Sequence, residues 1–76
     1  MTTDDIKKKI EQAIPGSRAQ VAGSDAHYEA LVVADAFEGK SLIERHQMVY
    51  AAVQEEMRSE AIHALSLRTV TAAETR

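Results

Sequence analysis

Two histidines, His27 and His63, are the residues of this chain best suited by type to do chemistry. A neutral imidazole is a competent ligand for zinc, copper or iron, and the 76-residue sequence has no cysteine to add a thiolate. Two imidazoles are too few for a closed four-coordinate centre, so the pair offers half a site, and any remaining ligands must come from a partner. The ordinary reading of a histidine at a strand end is a surface residue. Asp25 or Tyr28 could also satisfy the His27 ring locally. His46 falls on an apolar helical face with Leu42 and Val49, where a hydrogen-bonded core or boundary residue is the simplest role.

The order of elements decides whether residues so far apart in sequence can meet. Thr3 reads as a helix N-cap, Asp4 and Asp5 suit the positive end of a helix dipole, and Ile6, Ile10 and Ile14 recur at helical spacing until Pro15-Gly16 stops them. Arg18 to Ala22 and Tyr28 to Val33 read as two strands of an antiparallel hairpin, linked through Gly23-Ser24-Asp25 by slightly more than a two-residue turn. Ser41 and Glu44 form a capping box that opens a long helix, with Leu42, His46, Val49, Tyr50, Val53 and Met57 near one face and room for a bend at His46 to Val49. His63 to Val70 reads as the last strand, with Leu65 and Leu67 on its covered face, and the residues from Thr71 onward as a polar, frayed tail. A chain that leaves strand two and returns through a helix starts the next strand parallel to it. His27 and His63 are therefore expected at the same end of the sheet, about 5 Å apart in backbone if the strands are neighbours and about 10 Å if one intervenes. The expected fold is an α/β two-layer sandwich, helix-strand-strand-helix(-helix)-strand, with a three-stranded mixed sheet. It makes a single domain over 1–76, with an ordered core at about 4–70 and a polar tail at 71–76.

Composition excludes several functions. A net charge of −3 argues against a chain whose main task is to grip phosphates, although Lys40 and Arg45, with Lys7, Lys8 and Lys9, leave room for a local basic face. The bland reading of Lys7 to Lys9 is a solvated helix face. No serine has a histidine and acid at motif spacing and no glycine-rich phosphate loop occurs, so no enzyme is read here. No apolar run approaches the roughly 18 residues of a membrane span, and Met1 to Asp5 lacks the character of a secretory or transit signal, which makes a cytoplasmic location the default expectation.

The stretch Gly39-Lys40-Ser41-Leu42-Ile43-Glu44-Arg45-His46-Gln47-Met48-Val49-Tyr50 resembles the signature of the BolA family. The resemblance continues through Glu55-Glu56-Met57 and Ile62-His63-Ala64-Leu65-Ser66-Leu67, and upstream to His27 after Gly23-Ser24-Asp25. It implies a class II KH-like fold and an adaptor in iron-sulfur trafficking or iron sensing. Such an adaptor forms a heterodimer with a monothiol glutaredoxin and shares a [2Fe-2S] cluster, with thiolates from the glutaredoxin cysteine and glutathione and imidazoles at His27 and His63. The isolated chain is then expected to be a monomer without cofactor. Lys40 and Arg45 would flank the partner, Arg45 through a carboxylate of glutathione or glutaredoxin. The alternative implied by the resemblance is a DNA-binding transcriptional regulator using Lys40 and Arg45. The Gly-x-x-Gly of KH modules is absent, and Gln47 stands where relatives often carry a basic residue.

Overall fold

The computed structural model describes residues 1–75, so Arg76 of the expected tail lies outside them. Helix α1 spans Thr3–Ala13, strands β1 and β2 span Arg18–Ser24 and His27–Val33, helices α2 and α3 span Leu42–Ala52 and Gln54–Arg58, and strand β3 spans Ala64–Val70. Two 3-10 turns, Asp35–Phe37 and Ala73–Thr75, complete the described chain. The sheet order is β1-β2-β3, antiparallel between β1 and β2 and parallel between β2 and β3. This is the two-layer α/β arrangement expected from the element order, and the KH-like one that the resemblance implies.

Each element follows from local chemistry, with some corrections. The cap of α1 is Thr2 rather than Thr3: its hydroxyl accepts from the Asp5 N–H and the Asp5 carboxylate accepts from the Thr2 N–H, satisfying two donors that the first turn leaves free. Ser41 and Glu44 make the same reciprocal box on α2, as expected. The long helix does not bend at His46 to Val49 but breaks at Val53, with no glycine or proline there. The Val53 N–H bonds the Tyr50 carbonyl three residues back, tightening the last turn, and the Val53 carbonyl then accepts from Met57 to start α3. The break places Val53 fully in the core.

Ile6, Ile10, Val32, Phe37, Val49, Val53 and Ile62 are the fully buried large side chains. Each contributes roughly 1.5–3 kcal/mol through its removal from water. Phe37 sits in a 3-10 turn that the apolar periodicity gave no reason to expect. Two members of the expected helical stripe are not in the core: Leu42 is 63% exposed and Tyr50 37% exposed. His46 is half-buried, and its Nε2 is enclosed with no hydrogen-bond partner among the described residues, so it is not the hydrogen-bonded residue expected. The tail is not frayed over 71–75. Thr71 is buried, and Thr71 and Glu74 cap each other as the Ser41 and Glu44 pair does.

The two edges of the sheet are treated differently. Along β3 the Tyr50 hydroxyl donates to the Leu65 carbonyl and the Arg45 guanidinium to the Thr69 carbonyl, so side chains of α2 occupy two acceptors that share one side of the strand. On β1 the Glu11 carboxylate accepts from the Ala19 N–H. One sheet face is left open, carrying Arg18, Gln20 and Ala22 on β1, His27, Glu29, Leu31 and Val33 on β2, and Ser66, Arg68 and Val70 on β3.

Candidate metal centre

The link between β1 and β2 is shorter than expected: Ser24 pairs with His27, leaving only Asp25 and Ala26 between the strands. Both have positive φ, 54° and 66°, the backbone of a tight hairpin turn whose twist matches that of the strands. Gly23, at φ 123°, must lack a side chain, because a Cβ there would run into the His27 carbonyl oxygen and lie 2.8 Å from Tyr28 Cα. His27 is thus the first residue of β2 and is held in a fixed frame rather than on a free loop.

Two successive carbonyls of this turn organise the histidines. The Asp25 carbonyl lies 2.8 Å from His27 Nδ1, and a carbonyl can only accept, so Nδ1 carries the proton and Nε2 keeps the lone pair. The Ala26 carbonyl accepts from both the His63 N–H, at 2.7 Å, and the Ala64 N–H, at 3.0 Å, fastening the start of β3 to the turn. His63 stands immediately before β3, which begins one residue later than the strand expected from sequence. His27 pairs in register with Ala64, and the ring centroids of His27 and His63 are 5.3 Å apart with planes inclined by 54°.

Both rings are exposed. Two imidazoles bound to one tetrahedral ion at 2.0–2.1 Å hold their ring centres about 5 Å apart, so this spacing suits a shared metal. Among the described residues no group of three or more His, Cys, Asp or Glu side chains is placed to hold a metal ion. The arrangement therefore offers two ligands, one with its tautomer fixed by a backbone acceptor in the manner of second-shell partners.

Arg45, expected to be a partner or phosphate contact, is committed within the chain. Its guanidinium forks onto Glu74 at 2.7 and 3.1 Å, donates to the Lys40 and Thr69 carbonyls, and stacks 5.9 Å from the Phe37 ring centre, leaving its side chain only 12% exposed. This fork and the Thr71 N–H hold the Glu74 carboxyl down to about 2. Lys40 remains exposed. Lys7, Lys8 and Lys9 each pair with a carboxylate, on Glu11, Asp4 and Glu56 respectively. Sequence reading missed the Asp25 and Ala26 carbonyls because the backbone of any residue can supply them. The available signal was a glycine and an aspartate before a histidine.

A KH-like α/β domain with two histidines paired at one sheet end is the class that the fold and site define. The model of the BolA-like protein family matches residues 5–74, and the chain belongs to that family. It is 36% identical to BolA-like protein 1 of Mus musculus over 93% of this chain and 58% of that protein. It is 42% identical to the DNA-binding transcriptional regulator BolA of Escherichia coli over 66% of this chain and 47% of that protein. The chain therefore spans about half the length of these curated relatives. Among solved structures, a bolA protein homologue from Coxiella burnetii superposes with a TM-score of 0.88 at 43% identity, covering 99% of this chain and 96% of the other.

Proposed function

We propose that the chain is a cytoplasmic adaptor in iron-sulfur trafficking or iron sensing that binds a monothiol glutaredoxin and shares a [2Fe-2S] cluster with it. His27 and His63 would supply imidazole ligands, and the glutaredoxin cysteine and glutathione the thiolates. The observation that carries this reading is the pair of exposed rings 5.3 Å apart at one sheet end, with His27 Nε2 left as the free acceptor. The absence of cysteine makes the thiolate donor necessarily external. When bound, such a cluster supplies one-electron redox chemistry, and imidazole ligation raises its potential relative to all-thiolate ligation. The chain's own part is to hold two rings rigidly and to yield them readily, because neutral imidazoles are lost on protonation more easily than bound thiolates are lost to solvent.

The test is to add the protein to cluster-loaded monothiol glutaredoxin and follow visible absorption and circular dichroism. A changed spectrum with wild type that reverts toward the glutaredoxin spectrum with His63→Ala and with His27→Ala is expected. Unchanged spectra with wild type, or full spectral change with the double variant, would overturn the reading.

A second reading, DNA-binding regulation, is favoured by the likeness to the Escherichia coli transcriptional regulator alone. Of the basic residues expected to serve it, the internal use of Arg45 and the pairing of Lys7, Lys8 and Lys9 leave Lys40. It requires duplex affinity that falls steeply with salt and with Lys40→Ala, measured by anisotropy of a labelled duplex.

A further inference from the structure

The open face of the sheet serves neither the core nor, beyond His27 at one end, the paired histidines. Across the three strands Arg18, Val33 and Val70 form one row, Gln20, Leu31 and Arg68 the next, and Ala22, Glu29 and Ser66 the third. Leu31, Val33 and Val70 are half-buried and make an aliphatic floor. A depression of about 360 Å3 is lined by Gln20, Ala22, Glu29, Leu31, Ser66 and Arg68, and it continues past Gln20 and Leu31 to Arg18 and Val33. Three rows two residues apart make a trough about 13 Å long that runs with the strands, flanked by side chains on strands about 10 Å apart.

Charge adds to the shape of this trough. Lys7, Lys8, Lys9, Arg45 and Arg58 all lie in ion pairs, whereas Arg18, Lys40 and Arg68 have no carboxylate partner among the described residues, and two of those three stand on the trough. Two unpaired guanidiniums thus stand on either side of an aliphatic floor in a chain whose net charge is −3. Guanidinium forks are suited to carboxylates.

We propose that this trough docks an extended acidic peptide segment of a second protein. The segment lies along the strands, places aliphatic side chains on Leu31 and Val33, and turns carboxylates toward Arg18 and Arg68. Glu29 sets polarity, so the segment's charge must fall off toward the third row. The trough has no aromatic ring on which nucleic-acid bases could stack. A second copy of the chain would set the same two arginines against them. The surface is independent of metal: it would give an adaptor a hold on a client next to, but separate from, His27 and His63.

The experiment uses the full chain and a fluorescein-labelled hexapeptide whose charge falls off toward one end, Glu-Leu-Glu-Val-Ser-Leu, followed by anisotropy and by backbone amide shifts. Expected are saturable binding, shifts concentrated at Arg18, Gln20, Leu31 and Arg68, and a loss of about tenfold in affinity with the Arg18→Glu/Arg68→Glu double variant. The same peptide with lysine in place of glutamate should prefer the double variant over wild type. Arg68→Gln, which adds no charge, should weaken binding about threefold, and His27→Ala/His63→Ala should leave it unchanged. No saturation at millimolar peptide would overturn the proposal. So would equal affinity of wild type and a correctly folded double variant, shifts centred on α2, or tighter binding of an oligothymidylate of similar length.

Discussion

Arg45 and Glu74 show how a residue that looks free in sequence is spent on the fold. The fork holds the Glu74 carboxyl well below its unfolded value of 4.5, at about 2, so its stabilising contribution is complete at neutral pH and is lost as pH falls from about 4.5 toward 2. Acid unfolding followed by circular dichroism should therefore begin at higher pH in Glu74→Gln, and its midpoint temperature at pH 7 should be lower than that of wild type. A variant with an unchanged acid profile would show that the fork contributes nothing. Gly23 carries the opposite kind of commitment, because its role is to have no side chain. Gly23→Ala should cost about 2–3 kcal/mol in urea unfolding, through left-handed backbone strain and collision with the hairpin partner. It should also weaken metal-dependent spectral changes, because the residue it pushes is His27. The histidines themselves were legible because residue type and element order are both written in sequence. The internal fate of Arg45 was not, because its partner lies 29 positions away in a tail without apolar periodicity.

Elements were legible where a period or a cap announces them. The isoleucines of α1 and its C-cap, Ile6, Ile10 and Ile14, and the Ser41 box of α2 did so, and the parallel return of β3 followed from the order alone. The division at Val53 was not, since a helical pattern continues through it with no glycine or proline to mark the break. Nor was the hairpin length, because Asp25 and Ala26 adopt positive φ although neither is glycine. At this scale the guard on β3 makes a distinct prediction. Tyr50→Phe removes the donor to the Leu65 carbonyl and should cost about 1 kcal/mol. It also bares an acceptor on a strand edge, so light scattering on prolonged incubation should rise faster than for an equally destabilised core variant. Equal scattering would leave the hydroxyl with only a stabilising role.

For the molecule as a whole, the decisive property is incompleteness. A chain of 76 residues with two convenient imidazoles and no thiolate can satisfy a metal only by association. Two copies bring four imidazoles, the number a tetrahedral ion takes. Zinc should therefore drive the isolated protein from monomer toward dimer in sedimentation velocity, with one ion per two chains, and His63→Ala should abolish the shift. Zinc-independent dimers, or dimers retained by the variant, would contradict this. The Ala26 carbonyl adds a consequence for how such a site persists. One oxygen fixes the strand entry beside His63 while the preceding oxygen orients His27, and neither depends on the identity of a side chain. Sequences descended from this one can exchange the surrounding surface freely and keep the spacing of the two rings, provided the two-residue turn is inherited; lengthening it by a single residue would dissolve the pair even with both histidines retained.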